Sequence, residues 1–153
     1  MDEVNEIKKG YMESSMLDKP KELASFREKH AKKSKELSNV SAMLIIVVKR
    51  LTNSKGNLMP EWEEVAAVSC AVQNMHLALT TRWQEAYGGY WSSGGWNSWL
   101  ECPAMKAYCG ADGVVNGEAD KVLGIFYLGK SRVEKMNAYR AKRGDIQDKV
   151  EWK

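Results

Sequence analysis

Apolar residues fall along this chain in two rhythms, continuous and helical, and each rhythm predicts its own kind of element. Ala42–Val48 reads AMLIIVV, an unbroken run rich in β-branched residues. A run that short suits a buried strand covered on both faces better than a helix. Val122–Leu128 (VLGIFYL) is a second run of the same kind. Between them Val65, Val68, Val72, Met75 and Leu79 recur at steps of three and four, the stripe of a packed helix. Pro60 opens that helix, and Glu61, Glu63 and Glu64 follow in its first turn, where carboxylates favour the positive helix end. Ala66, Ala67, Ser69, Cys70, Ala71 and Ala78 occupy the flanking faces. Small residues on several sides predict a central helix packed against more than one neighbour. Gln73 and Asn74 are then either buried and hydrogen-bonded or the one wet edge.

Weaker patterns complete the chain. Lys21–Leu37 carries a thin stripe of Leu23, Phe26, Ala31 and Leu37 behind Pro20, as expected for a mostly solvated helix. Tyr87–Ser93 reads as a short strand or extended turn, Glu101–Cys109 as a short helix started by Pro103, and Ala111–Asp120 as a polar loop. Residues 1–18 show no clean period and are expected to be a flexible lead-in. The organisation predicted is therefore a lead-in (1–18), one domain (19–129) and an extension (130–153). Helices alternating with buried strands predict an α/β (α+β) layered sandwich, with a meagre sheet of two strong strands and one weak.

Composition narrows the class. At 153 residues the chain has room for one domain with a sizeable core. No run approaches the ~18 apolar residues of a membrane span, and MDEVNEIKKG lacks the apolar region of a secretory signal. Three cysteines without a C-x-x-C pair argue against a disulfide framework or zinc site. They point to the cytoplasm or another reducing compartment. The net charge of +3 is concentrated at the end, where residues 130–153 hold eight Lys/Arg against four Asp/Glu. So modest an excess reads as a solvated extension rather than a nucleic-acid surface.

One segment carries candidate chemistry. YGGYWSSGGWNSW places Tyr87, Tyr90, Trp91, Trp96 and Trp99 among Gly, Ser and Asn. Aromatic platforms beside serines and free amides suit a planar, polar-edged ligand; the alternative is a loop whose tryptophans cap the core. Nucleophile arrangements are absent: Cys70 sits mid-helix among apolar neighbours, and Ser92 and Ser93 lack a G-x-S-x-G context. No phosphate-loop motif is present, and His30 and His76 stand without ligand partners at metal-binding spacing. No metal is expected. If the chain is an enzyme, a cofactor must carry the chemistry.

The order of these segments resembles the nitroreductase family of flavin enzymes. AMLIIVV, the Trp-containing helix start, AVQNMHLA, GGYWSSG, CPAMKAYCG and VLGIFYLG follow one another as in that family, over about residues 41–129. The resemblance implies an FMN-dependent NAD(P)H oxidoreductase acting as a homodimer, passing electrons to a nitroaromatic, quinone or similar acceptor. It places Trp91, Ser92, Ser93 and Gly94 in the turn against the flavin and names no catalytic acid or base. The family's N-terminal Arg-Arg-Ser-like motif, which holds the FMN phosphate, has no counterpart here, and the first third of the family pattern is missing. The resemblance therefore implies an N-terminally truncated fold with activity intact or impaired. The alternatives are a non-catalytic dimerisation or binding module that has lost flavin, and an aromatic-platform binder of sugar or single-stranded nucleic acid.

Overall fold

The computed structural model describes residues 1–37, 39–94, 98–130 and 145. In chain order these form α1 (Asp2–Ser14), α2 (Pro20–Leu37), β1 (Val40–Val48), α3 (Glu61–Thr80), β2 (Tyr87–Ser92), α4 (Pro103–Cys109), β3 (Val114–Val115), β4 (Glu118–Ala119) and β5 (Lys121–Lys130). Short 3-10 turns precede β2 at Trp83–Glu85 and α4 at Ser98–Glu101. The fold is mixed α+β, with a three-stranded sheet in the order β1-β5-β2 and a separate β3-β4 hairpin. Both pairings in the larger sheet are antiparallel.

The two continuous apolar runs become adjacent strands, Leu44 opposite Phe126 and Ile45 opposite Ile125. Full cover is reached only on the central strand. Val122, Ile125 and Phe126 of β5 are buried, whereas Leu44 on the edge strand β1 is 41% exposed. Alternation along the strands separates two faces. Ile125, Tyr127, Met43, Ile45 and Val47 join a core with Val4, Trp99, Leu100, Cys102 and Met105. Phe126 points the other way, its ring meeting His76 of α3 edge-on at 5.9 Å. The sheet is thus layered between α3 and a cover built from α1, the Ser98–Glu101 turn and α4.

Three expectations are revised. Residues 1–18 hold a helix of 13 residues rather than a loose lead-in, with Val4 2% and Met12 3% exposed. Val4, Ile7 and Tyr11 do repeat at steps of three and four, a stripe diluted by charged neighbours. Secondly, α3 covers one layer only. Val65, Val68, Val72, Met75 and Leu79 face the sheet side as expected, but Ala66, Ala67, Cys70, Ala71, Gln73, Asn74 and Ala78 are exposed. Small side chains here permit a close approach that no described element makes. Thirdly, Ala111–Asp120 contains the β3-β4 hairpin. Asn116 and Gly117 both take positive φ, 50° and 85°, the turn that an Asn-Gly pair between strand residues favours. Ser38, Trp96 and the basic extension apart from Lys130 and Asp145 lie outside the described residues.

A polar knot ties the layers at one end of the sheet. The Arg50 amide donates to Asp120 Oδ1 at 2.8 Å, and Lys49 Nζ lies 3.1 Å from Asp120 Oδ2. The Arg50 guanidinium pairs with Glu64 in the first turn of α3 and donates to the Met59 carbonyl at 3.0 Å. Glu64 Oε1 also accepts from the Leu51 amide at 2.8 Å. Burial pushes the Asp120 carboxyl up, but the Arg50 amide, Lys49 and the Gly113 amide outweigh it and hold it below the ordinary range. Its contribution to stability is therefore complete above the unfolded value near 4 and is lost as pH falls below it.

Removing one partner of a buried ion pair strands the other charge, whereas replacing both by apolar groups avoids that cost. Arg50→Ala should therefore destabilise the fold by about 3–5 kcal/mol in denaturant titration. The double replacement Arg50→Met with Glu64→Leu should cost much less than the sum of its single variants. Additive costs would show that the pair is not the coupling element.

Candidate functional site

The candidate segment is more strand than turn. Tyr87–Ser92 pairs along β5 from Tyr87 opposite Lys130 to Ser92 opposite Ile125. Trp91 and Ser92 therefore belong to a ladder, and the chain leaves it only at Ser93 and Gly94. Trp91 lies across Gly124 of β5. A Cβ on Gly124 would stand 2.3 Å from Trp91 Nε1 and 2.5 Å from the Ser92 carbonyl, and the φ of Gly124 is 149°. The indole is nonetheless 38% exposed. Beyond the strand, the Gly94 amide donates to Ser92 Oγ at 3.4 Å and the Gly94 carbonyl accepts from Trp99 Nε1 at 3.3 Å. These backbone groups, expected to be free for a ligand, are engaged within the chain. Trp99 itself is 2% exposed and caps the core, while Trp96 lies outside the described residues.

A cavity of about 560 Å³ opens at the other end of β2. Its walls come from the last turns of α3 (His76, Leu79, Thr80), from Tyr87–Tyr90 and from Tyr127–Lys130, with Asn39 and Val40. The volume is that of an ordinary small-molecule site. Tyr90 and Tyr127, opposite each other in the ladder, stack with ring centroids 5.2 Å apart. Burial pushes both phenols up, and in Tyr127 the neighbouring Tyr90 adds to it. Both therefore stay protonated near neutral pH. Lys130 Nζ sits 4.8 Å from the Tyr87 ring centroid, and the Arg82 guanidinium approaches the same ring at 5.8 Å. The cavity accordingly combines the Tyr87 ring, glycine backbone and a cation at its rim, while the stacked Tyr90 and Tyr127 rings lie on the core face of the sheet.

The expected site residues and the cavity share one strand without coinciding. Tyr87 and Tyr90 line it; Trp91, Ser92, Ser93 and Gly94 do not. Tyr127, Leu79 and His76 were missed as site residues because only the β2-β5 register and the lie of α3 bring them there. The glycine pair beside tyrosines was the one linear signal. Other chemistry is sparse. Cys70 is exposed rather than enclosed, Cys102 is buried, and burial pushes the Cys109 thiol up. Among the described residues no group of three or more His, Cys, Asp or Glu could hold a metal ion, and no helix is long and apolar enough to cross a membrane.

Comparison with protein-family models, with curated proteins and with solved structures finds no match to this chain. The residues can still be tested against FMN. A flavin needs room for a planar ring, apolar walls, polar backbone at its edge and a cation for its phosphate. The cavity offers each in a single place, with Lys130 as the cation.

The close seating of Trp91 on Gly124 generates a prediction. Gly124→Ala forces the indole off the strand, and such overpacking typically costs about 1–3 kcal/mol. Adding Trp91→Ala should recover only the indole's share of that loss in thermal or denaturant unfolding, because the Ser92 carbonyl and the φ of 149° keep the position strained. A double variant no more stable than Gly124→Ala alone would show that backbone strain, not the indole, sets the cost.

Proposed function

We propose that the chain is an FMN-dependent NAD(P)H oxidoreductase of nitroreductase type, holding its flavin beside β2. The observation that carries this reading is the cavity walled by Tyr87–Tyr90 and Tyr127–Lys130, in the segment whose sequence resembles the flavin-binding part of that family. When bound, FMN supplies the electron transfer between a nicotinamide and a nitroaromatic, quinone or similar acceptor. The chain's own part is to bind, orient and exclude water. Tyr87 offers aromatic surface, Leu79 and Leu128 apolar wall, and Lys130 a charge-assisted partner for the phosphate. Trp91, Ser92, Ser93 and Gly94 shape the continuation of the strand.

Equilibrium titration of the purified chain with FMN and with riboflavin, which lacks the phosphate, tests this. FMN should bind, and Lys130→Gln should weaken it about tenfold, equivalent to ~1.4 kcal/mol, with riboflavin affinity little changed. Failure of both flavins to bind at high micromolar concentration would remove the oxidoreductase reading.

The outer face of α3 favours a second reading, a dimerisation module on the same fold without flavin. Ala66, Ala67, Cys70, Ala71 and Ala78 are exposed there, beside Leu77 at 53% and, one helix end away, Trp62 at 72%. A small-residue face of this kind, with Gln73 and Asn74 within it, suits a second copy of the helix. Sedimentation should show a dimer that Ala67→Arg with Ala71→Arg converts to monomer. Flavin binding by that monomer separates the two readings.

A further inference from the structure

His30 stands on α2 facing α1, in surroundings suited to an uncharged imidazole. Its ring lies against Phe26, centroids 5.4 Å apart, and Nε2 is buried without a hydrogen-bond partner among the described residues. The ring lines a cleft of about 570 Å³ between the two helices, with Glu6, Lys9 and Glu13 from α1 and Arg27 from α2. Every charge in this cleft can be assigned. Lys8 and Lys9 oppose a proton on the ring, while Glu6, Glu13 and a hydrogen bond to the Asn5 backbone favour it. Glu13 is committed to Arg27 at 2.7 Å, and Glu6 lies 3.9 Å from Lys9. Lys33 adds its charge against Lys8. An imidazolium would place a further cation beside Lys8 and Lys9, and its buried Nε2–H would have no acceptor among the described residues.

What the cleft holds in place is α1, and α1 closes the core. Val4 is buried against the cluster of Trp99, Leu100 and Met105, and Lys8 Nζ rests 5.3 Å from the Trp99 ring centroid. Trp99 in turn anchors the Gly94 carbonyl at the exit of β2.

We propose that His30 is an acid-released latch: when the ring takes up a proton, the α1–α2 contact opens and α1 lifts from the core beside the end of β2. Burial, then Lys8, holds the docked imidazole below its ordinary value of 6.5. The undocked helix pair binds the proton first, so docking is complete above about pH 6.5 and weakens as pH falls below it. Glu13, Glu61 and Asp120 all have lowered carboxyl values. They respond only below about pH 4.5, outside this window.

Hydrogen exchange of the α1 amides, corrected for the intrinsic rate at each pH, tests the latch between pH 7.5 and 5.0. Protection over Val4–Met12 should fall severalfold while β5 stays protected. His30→Phe, which keeps the ring contact and cannot titrate, should abolish that fall, and His76→Gln should preserve it. Constant α1 protection in the natural chain, or an undiminished fall in His30→Phe, overturns the proposal. Should His30→Phe fold poorly, NMR titration of His30 in the natural chain decides directly: a midpoint at or above 6.5 overturns the latch, and a lower one supports it.

Discussion

Arg50 couples three elements that would otherwise meet only through apolar contact. Its amide fixes the start of β5 through Asp120, and its guanidinium fixes the first turn of α3 through Glu64. Apolar burial supplies the driving force for layering but no direction. Charged hydrogen bonds supply the direction, because a misplaced helix would leave Arg50 and Glu64 desolvated and apart. Their side chains are 4% and 9% exposed, so the cost of separation would be large. The knot thus joins the end of β1, the approach to β5 and the first turn of α3 at one end of the sheet. Arg50 Nε remains buried without a hydrogen-bond partner among the described residues.

The candidate site is a product of the β2-β5 register. Tyr90 meets Tyr127, and Tyr87 meets Lys130, because β2 runs antiparallel along the central strand without a slip. A shift of one residue would send each side chain to the opposite face and dissolve the aromatic pair. Glycine at 124 allows Trp91 to lie flat on β5 at the far end of the same strand. One strand therefore carries both an end where Trp91 sits close on β5 and an end with room for a ligand.

Cover on the two faces of the sheet is unequal. One face is closed by α1, the Ser98–Glu101 turn and α4, meeting in a core around Met105, Ile125 and Trp99. The other is closed by α3 alone, and the outer side of α3 is lined with small exposed residues. The first face depends on a helix whose contact with α2 contains an unpaired buried histidine nitrogen, the second on a helix able to accept another close neighbour.

Much of the fold was legible because local sequence and final environment agreed. AMLIIVV and VLGIFYL became β1 and β5, Pro60 and Pro103 marked the starts of α3 and α4, and the stripe from Val65 to Leu79 faced the sheet. In each, a short-range pattern specifies one conformation whatever the partner. The tertiary structure alone decided the burial of α1, since its thin Val4–Ile7–Tyr11 stripe gains value only against Trp99 and Leu100. It also decided the exposure of α3, since small residues permit a neighbour without supplying one. The Asn116-Gly117 hairpin was readable and passed over among polar residues. The cavity was not readable: its walls come from separate segments around His76, Tyr87 and Tyr127–Lys130, and only strand register and helix placement bring these around one space.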